Sequence, residues 1–290
     1  METLSRLGVV GCGLMGSGIA EVAALRGIDV LVAESSSDAA EAGRRRIDAS
    51  LDRALHRGKI TEAEWDGARS RLAYTDDLEA MADRQFVIEA VAENRDVKTG
   101  VLSKLDRVVA DPEAILATNT SSIPVVDLAV ATQRPTHVLG MHFFNPVPVQ
   151  SLVEIIPALT TSTDTVVRAM AFASEGLGKQ IIEATDRSGF VVNALLVPYL
   201  LAAVRMVEAG SAGAEDIDRG MELGCAHPMG PLRLLDLIGL DTAQAVAESM
   251  YDEYKEPLYA APPLLQRMVA AGRLGRKSGQ GFYEYSAPGK

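Results

Sequence analysis

Short apolar runs alternate with amphipathic stretches over the first two thirds of the chain, which predicts strands separated by helices. The first run, residues 7–11, enters a glycine-rich turn, and helical spacing follows at residues 17–25. A second strand is predicted at residues 29–33. Five later runs predict further strands, at residues 86–91, 115–118, 137–142, 152–156 and 179–184. Unbroken apolar runs of this length are typical of strands buried on both faces of a parallel sheet.

Two helical patterns interrupt this rhythm and predict a helical insertion at residues 39–70. The second of them opens on Thr61 and Glu64, which have the spacing of a capping box. The first is rich in arginine, with Arg44, Arg45, Arg46, Arg53 and Arg57. Such a cationic stretch is usually a solvated helix face, and it could also hold a phosphorylated substrate handle.

No strand pattern appears between residue 186 and the last few residues. Five helices are predicted instead, at residues 190–209, 214–223, 231–238, 242–254 and 263–271. The sequence therefore predicts an α/β protein with a Rossmann-type dinucleotide-binding domain at residues 1–185 and an all-α domain at residues 186–290. A helical domain of this size often buries additional surface in a dimer.

Composition excludes several classes of function. The net charge of −11 carries no signature of nucleic-acid binding. The two cysteines, Cys12 and Cys225, form neither a disulfide framework nor a CxxC metal site, so a reducing cytoplasm is expected. The longest apolar run, residues 190–204, contains Asn193 and Pro198 and is too short to span a bilayer. Residues 1–7 lack the features of a signal peptide.

The first turn predicts a dinucleotide site, because its six residues match the pattern GxGxxG. They are Gly11, Cys12, Gly13, Leu14, Met15 and Gly16. Gly11 permits the tight turn, Gly13 lets a pyrophosphate approach the backbone, and Gly16 lets helix and strand pack closely. Glu34, at the end of the second strand, could accept both ribose hydroxyls and would repel a 2′-phosphate. The cofactor expected is NAD rather than NADP; the alternative is a glycine turn used only for packing.

His142 and Glu154 form a candidate catalytic pair. His142 closes one strand, Glu154 lies inside the next, and a proline-punctuated turn joins the two. Strands joined by such a turn can pair side by side, which would bring imidazole and carboxylate within hydrogen-bond distance. A carboxylate fixes the tautomer of a histidine and stabilises the imidazolium, as a general base requires. The alternative is a satisfied core histidine.

Polar side chains follow two of the predicted strands. Glu93 and Lys98 come after residues 86–91, where the carboxyl end of a strand would face the ribose of the nicotinamide. A helix-terminal carboxylate and an ordinary surface lysine would explain them equally. Residues 119–122 add an amide and three hydroxyls after the next strand, suited to substrate contact or to capping a helix.

Taken together, these motifs resemble the short, single-function 3-hydroxyacyl-CoA dehydrogenases, particularly the bacterial 3-hydroxybutyryl-CoA dehydrogenases. The resemblance runs nearly end to end. The segments that carry it are residues 11–16, 87–94, 118–122, 141–148, 154, 189–193, 227–231, 239–241 and 277–283.

The resemblance implies a role for each matching residue. His142 would be the base, Glu154 its orienting carboxylate, and Ser121 and Asn193 would hydrogen-bond the substrate around C3 and its carbonyl. The residues implied to contact NAD, beyond the glycine turn, are Glu34, Glu93, Lys98, Ser121, Asn145 and Lys277. Ser50 and Arg57 would contact CoA together with Ser121, although the family often has lysine where this chain has Arg57.

The reaction implied is the NAD-dependent oxidation of a 3-hydroxyacyl-CoA, 3-hydroxybutyryl-CoA above all, and its reverse, within fatty acid metabolism. No metal is needed, since His142 and neighbouring donors meet the developing charge. The acyl thioester would lie between the domains. A homodimer through the C-terminal helices is also implied, without a nucleic-acid or membrane partner.

The sequence disfavours one alternative and leaves two open. A β-hydroxyacid dehydrogenase acting on free acids would need a lysine in the helix at residues 190–209, which has Asn193 and no lysine. The same chemistry could act on a carrier-protein thioester or on a sugar acid. A non-catalytic NAD-binding protein would not need His142 and Glu154.

Overall fold

The protein, described at residues 4–285 of a computed structural model, divides into two compact units. The units are Met1–Arg187 and Ser188–Lys290. The first contains the strands of a single eight-stranded sheet, and the second is built from helices.

The sheet has the order β3-β2-β1-β4-β5-β6-β7-β8. Its strands are β1 (Arg6–Val10), β2 (Asp29–Ala33), β3 (Leu72–Thr75), β4 (Phe86–Glu89), β5 (Ile115–Thr118), β6 (Val138–Phe143), β7 (Leu152–Pro157) and β8 (Gln180–Glu183). Neighbouring strands are parallel except for β6 and β7, which pair antiparallel. The seven predicted strands are confirmed, and β3 is an additional edge strand.

The order of the first six strands is that of a dinucleotide-binding fold. The chain crosses from β1 through β2 to the edge strand β3 and then returns to pair β4 with β1. Strand order reverses at this point, and ligands of such sheets bind outside the carboxyl ends of the strands there. The central strands β4 and β5 are buried along their whole length, as their unbroken apolar runs predict.

Helices of the first unit pack on this sheet. They are α1 (Leu14–Leu25), α2 (Ser37–His56), α3 (Glu62–Ser70), α4 (Arg95–Val108), α5 (Val125–Ala129) and α6 (Thr163–Ala171). The predicted capping box is present, with Thr61 and Glu64 each accepting a hydrogen bond from the other's backbone. Helix α6 continues as a π-helical turn at Phe172–Gly176, so the hydrogen-bond pattern changes partway along this helical stretch.

The second unit packs five helices around its own core. They are α7 (Val192–Glu208), α8 (Ala214–Cys225), α9 (Pro231–Ile238), α10 (Leu240–Tyr254) and α11 (Pro263–Ala270). Two buried carboxylates organise this unit: Asp218 accepts the first free N–H groups of α9, and Asp236 accepts the N–H groups of Phe282 and Tyr283. The predicted helices are confirmed to within two residues at most of their ends. None of the helices in the described chain is long and apolar enough to cross a membrane.

Candidate functional site

The glycine turn between β1 and α1 leaves space where a dinucleotide requires it. Gly11 has a φ of +90°, and a Cβ there would lie 2.7 Å from the carbonyl oxygen of Ala90. A Cβ on Gly16 would overlap the carbonyl oxygen of Gly11, whereas a Cβ on Gly13 would meet no atom within 4 Å. Gly11 and Gly16 thus serve packing, and Gly13 faces open space at the helix N-terminus. This arrangement fits a pyrophosphate.

Glu34 lies beside the same turn. One of its carboxylate oxygens accepts the N–H of Cys12 at 2.5 Å, and the other accepts its neighbour's N–H at 3.1 Å. The guanidinium of Arg46 donates to the carbonyl oxygen of Cys12. Burial and the nearby Glu34 carboxylate raise the pKa of the Cys12 thiol to about 12. The Cys12 thiol is therefore neutral and buried, and contact of Cys12 and of Glu34 with a dinucleotide stays a prediction.

His142 and Glu154 are directly opposite each other in the antiparallel pair of β6 and β7. His142 Nδ1 and Glu154 Oε2 are 2.6 Å apart, and the carboxylate is fully buried while the imidazole is 9% exposed. Because the carboxylate is the acceptor, Nδ1 carries the proton and the tautomer leaves Nε2 as the basic atom. Phe144 packs edge-on against the imidazole, with ring centroids 4.7 Å apart. The expected pair is thus present.

Asn145 lies in the connection between these two strands, residues 144–151. Its side chain is exposed, and its peptide bond to Pro146 is cis. At the start of the connection, the Phe143 N–H donates to the side-chain oxygen of Asn119 at 2.9 Å. Within it, the Pro146 carbonyl accepts the N–H groups of Val149 and Gln150. The connection therefore has hydrogen bonds of its own as well as one at its start to Asn119.

Glu93 accepts hydrogen bonds from polar residues that follow β5. One of its oxygens accepts the Thr120 hydroxyl, the backbone N–H groups of Ser121 and Ser122, and the Ser122 hydroxyl. Burial alone would raise the pKa of the Glu93 carboxyl, but the Lys98 ammonium and these donors outweigh it and hold the pKa below its ordinary value. The structure thus brings two predicted site residues, Glu93 and Ser121, together.

Lys98 is buried, so it is not the ordinary surface lysine that was the alternative interpretation of the sequence. It is 1% exposed, and its ammonium lies 2.8 Å from Glu89 and 3.3 Å from Glu93. The Glu89 carboxylate is fully buried and also accepts the Thr118 hydroxyl at 2.7 Å and the Val91 N–H at 2.6 Å. Sequence reasoning missed Glu89, although a lone carboxylate inside a buried strand signals a partner nearby. Direct contact of Lys98 with a cofactor stays a prediction.

Ser50 and Arg57 lie on the helical insertion: Ser50 within α2, and Arg57 as the residue that ends it. Ser50 lies near the carboxyl of Glu21 on α1, which is 3% exposed. Burial raises the pKa of the Glu21 carboxyl, against the effect of Ser50 and of Arg53. Arg57 is exposed.

The remaining predicted site residues belong to the second unit. Asn193 lies in the first turn of α7 and is partly exposed. Lys277 lies in the 3-10 turn Arg276–Ser278, exposed, with its ammonium 2.5 Å from the carboxylate of Asp241. Within residues 4–285, no three His, Cys, Asp or Glu side chains are grouped so that they could hold a metal ion.

Comparison with known sequences adds a family to this geometry. The model of the family described as "3-hydroxyacyl-CoA dehydrogenase, NAD binding domain" matches residues 6–187, and that of its C-terminal domain matches residues 189–285. A protein of Mycobacterium tuberculosis named 3-hydroxybutyryl-CoA dehydrogenase is 57% identical over 284 residues. The match covers 98% of this chain and 99% of that protein.

Solved structures agree with the sequence comparison. The crystal structure of FadB2 from M. tuberculosis matches with a TM-score of 0.97 at 56% identity, covering 98% of this chain and 100% of that one. The crystal structure of (S)-3-hydroxybutyryl-CoA dehydrogenase PaaH1 from Ralstonia eutropha matches with a TM-score of 0.93 at 43% identity, with the same coverage.

Proposed function

The chain belongs to the 3-hydroxyacyl-CoA dehydrogenase family, and on that premise we propose that it oxidises 3-hydroxybutyryl-CoA with NAD. The product is the 3-ketoacyl-CoA, and the reverse reaction reduces that ketone. One observation carries the proposal: a histidine and a fully buried carboxylate, 2.6 Å apart, at the carboxyl end of β6 in a sheet with a dinucleotide turn. A sensor that used only the fold would not need this pair.

In the proposed mechanism His142 is the general base. When bound, NAD supplies the acceptor for the hydride that leaves C3. Nε2 of His142 takes the proton of the 3-hydroxyl, so the C3 oxygen becomes a carbonyl without passing through a free alkoxide. Glu154 holds the Nδ1 proton and offsets the positive charge of the imidazolium. In the reverse direction the same imidazolium returns its proton to the oxygen.

Ser121 and Asn193 complete the proposed substrate contacts. The backbone of Ser121 is fixed by Glu93, which leaves its hydroxyl to hydrogen-bond the substrate oxygen near C3. The amide of Asn193, in the first turn of α7, is assigned to the thioester carbonyl. The Ser121 hydroxyl would act as a positioned donor to the C3 oxygen, where negative charge develops during the reaction, and the Asn193 amide would hold the thioester in place.

The proposed cofactor contacts follow from the first unit. The glycine turn, residues 11–16, takes the pyrophosphate and Glu34 the adenosine ribose. Glu93 and Asn145 are assigned to the nicotinamide end, with Lys98 acting beneath Glu93 because its ammonium is buried. Lys277 is assigned to NAD on the strength of the resemblance alone.

For the substrate handle, we propose CoA. Ser50 and Arg57 lie on the insertion whose exposed arginines suit a phosphorylated group. A phosphopantetheine arm on a carrier protein shares part of that chemistry, so the choice of CoA rests on the names of the relatives.

We also propose a homodimer through the second unit. The exposed face of α7 carries Leu195 and Met206, which are three turns apart and 75% and 45% exposed. Leu223 at the end of α8 is 75% exposed as well. A face of this kind is more apolar than an ordinary surface and suits a second copy of the same chain.

The decisive experiment measures NADH oxidation with acetoacetyl-CoA. Turnover is expected with the CoA thioester. The substrate preference is then tested with a panel of longer acyl chains, a carrier-bound acetoacetyl group and a sugar acid. Absence of turnover with every 3-ketoacyl thioester would refute the enzymatic proposal. Faster turnover of the carrier-bound acetoacetyl group than of acetoacetyl-CoA would indicate that the substrate handle is phosphopantetheine on a carrier rather than CoA.

A further inference from the structure

Lys179 is a buried lysine that the proposed mechanism does not use. It immediately precedes β8, is 7% exposed, and its ammonium donates to the carbonyl oxygens of Val147 and Gln150, both at 2.6 Å. Both carbonyls belong to the connection between the strands that carry His142 and Glu154. One side chain from a distant part of the sequence therefore ties down this connection at two points.

The surroundings of Lys179 hold its ammonium in place. Its own N–H donates to the Ala173 carbonyl, and the preceding Gly178 has a φ of +67°, with the Arg26 guanidinium packed where a side chain would project. Burial and the charge of Arg26 hold the pKa of Lys179 below its ordinary value. A buried ammonium is unfavourable unless it is hydrogen-bonded, so the two carbonyl contacts are expected to be strong.

The connection also packs against α1. Val147 is 2% exposed, and a Cβ built on Gly18 would lie 2.8 Å from the Cβ of Val147. Gly18 belongs to the first half of α1, directly after the glycine turn. Asn145, which is two residues before Val147, is thereby held at a defined distance from the dinucleotide helix.

We propose that Lys179 is a positioning residue of the cofactor site: its ammonium fixes the connection between β6 and β7, and so Asn145, against α1. The part played by Asn145 rests on the proposed function. The His142–Glu154 pair does not depend on Lys179, because the strand register sets it. Loss of Lys179 should therefore weaken cofactor affinity much more than it slows the chemical step.

The test compares Lys179→Met with the wild-type protein. The Kd for NADH, measured by fluorescence titration without any thioester, should rise about tenfold, as expected for losing hydrogen bonds from a charged donor. At saturating NADH, kcat should stay within about threefold of wild type, because the reacting pair is intact. Hydrogen exchange should accelerate in the peptide covering residues 144–151.

Arg134→Met is the matched control. Arg134 also donates to backbone carbonyls, those of Asp106, Val109 and Asp111, but it lies at the amino end of β6, away from the connection. This variant should lose thermal stability while its NADH Kd stays within about twofold of wild type, as expected for a distant, independent site. An equal loss of NADH affinity in both variants would reduce Lys179 to a general stabilising role and overturn the proposal.

A double-mutant cycle with Asn145→Ala tests the route of the effect. If Lys179 acts through Asn145, the two substitutions should weaken NADH binding together by little more than either alone. Full additivity would overturn the assignment to Asn145.

If Lys179→Met does not fold by circular dichroism, Lys179→Gln, which keeps two N–H donors, replaces it in every comparison. Unchanged NADH affinity in a folded variant overturns the proposal, whereas a wild-type protein without acetoacetyl-CoA turnover refutes only the enzymatic function.

Discussion

The carboxylate of Glu154 is fully buried and is bound by the imidazole of His142. Removing His142 takes away this hydrogen bond, and a hydrogen bond to a charged group typically contributes about 1.5–3 kcal/mol to the free energy of unfolding. The two residues therefore contribute to folding as well as to the proposed chemistry. Any functional test of the pair has to measure both.

His142→Ala is expected to lower kcat by about 10²–10⁴-fold, the usual contribution of a general base. NADH affinity should be nearly unchanged, because the residues assigned to the pyrophosphate and the adenosine ribose, 11–16 and Glu34, belong to other elements of the fold. His137→Ala, at the amino end of β6, is the control and should keep normal kinetics. A large loss of NADH binding in His142→Ala would instead make His142 a structural residue.

Glu21 offers a pH-dependent test of stability. Burial raises the pKa of the Glu21 carboxyl, so the folded protein favours its protonated form. The protonated carboxyl contributes its full stability below the unfolded-state pKa. This contribution to the free energy of unfolding is lost as pH rises through the folded-state pKa. At neutral pH the buried carboxylate therefore destabilises the unit. Glu21→Gln should raise Tm by about 2–4 °C at pH 7 and by much less near pH 4. Thermal melts at both pH values check this, and an equal gain at both would contradict it.

Within the turn between β1 and α1, two glycines that look alike in sequence have different neighbours. Gly13 faces open space and has an ordinary φ of −65°, while Gly16 is packed against Gly11. Gly13→Ala should fold normally yet bind NADH at least about tenfold more weakly, because its methyl group would occupy the approach of the pyrophosphate. Wild-type affinity in this variant would mean that the cofactor does not approach Gly13.

Gly16→Ala should show the opposite behaviour. Its Cβ would overlap a backbone oxygen that cannot move without displacing the turn, so a loss of about 3 kcal/mol or more in the free energy of unfolding is expected. Denaturant titration of the two variants side by side distinguishes packing from cofactor contact. Equal stability of both would refute the distinction.

The sequence predicts an element well where burial is uniform and poorly where it is not. β4 and β5 are buried at every position, and their apolar runs identify them. β3 was missed because its four residues are half-exposed at the sheet edge, so they show neither an apolar run nor a clear alternation. The π-helical end of α6 leaves no signal in the spacing of apolar residues.

Some residues of the candidate site could likewise be predicted from the sequence and others could not. His142 and Glu154 could be paired from sequence, because a short connection between two strands places their side chains opposite each other. Lys98 and Lys179 could not be identified as buried, since a lysine next to a strand looks the same whether its ammonium reaches solvent or an internal oxygen. The carbonyl partners of Lys179 lie 32 and 29 positions away in the sequence and the Glu89 partner of Lys98 nine positions away, and the folded chain brings each into contact.

Each of the two units has its own hydrophobic core, and the second leaves part of its surface apolar. The proposed dimer predicts a wild-type mass in solution twice that of one chain. Leu195→Glu combined with Met206→Glu should yield a monomer, because two charges would be buried at the interface centre. Light scattering after size exclusion measures the mass. Leu159→Glu, at a residue 94% exposed in the first unit, is the control; a monomeric wild type would refute the dimer.

The hairpin of β6 and β7 also affects how this protein can exchange segments with its relatives. His142 and Glu154 are separated by only 12 positions, so residues 138–157 encode the proposed base and its carboxylate as one contiguous segment. Recombination with a breakpoint outside that segment transfers both residues or neither. The proposed cofactor and acyl contacts, from Gly11 to Lys277, are spread over most of the chain. Chimeras can therefore exchange ligand preference piece by piece while the acid–base pair stays intact.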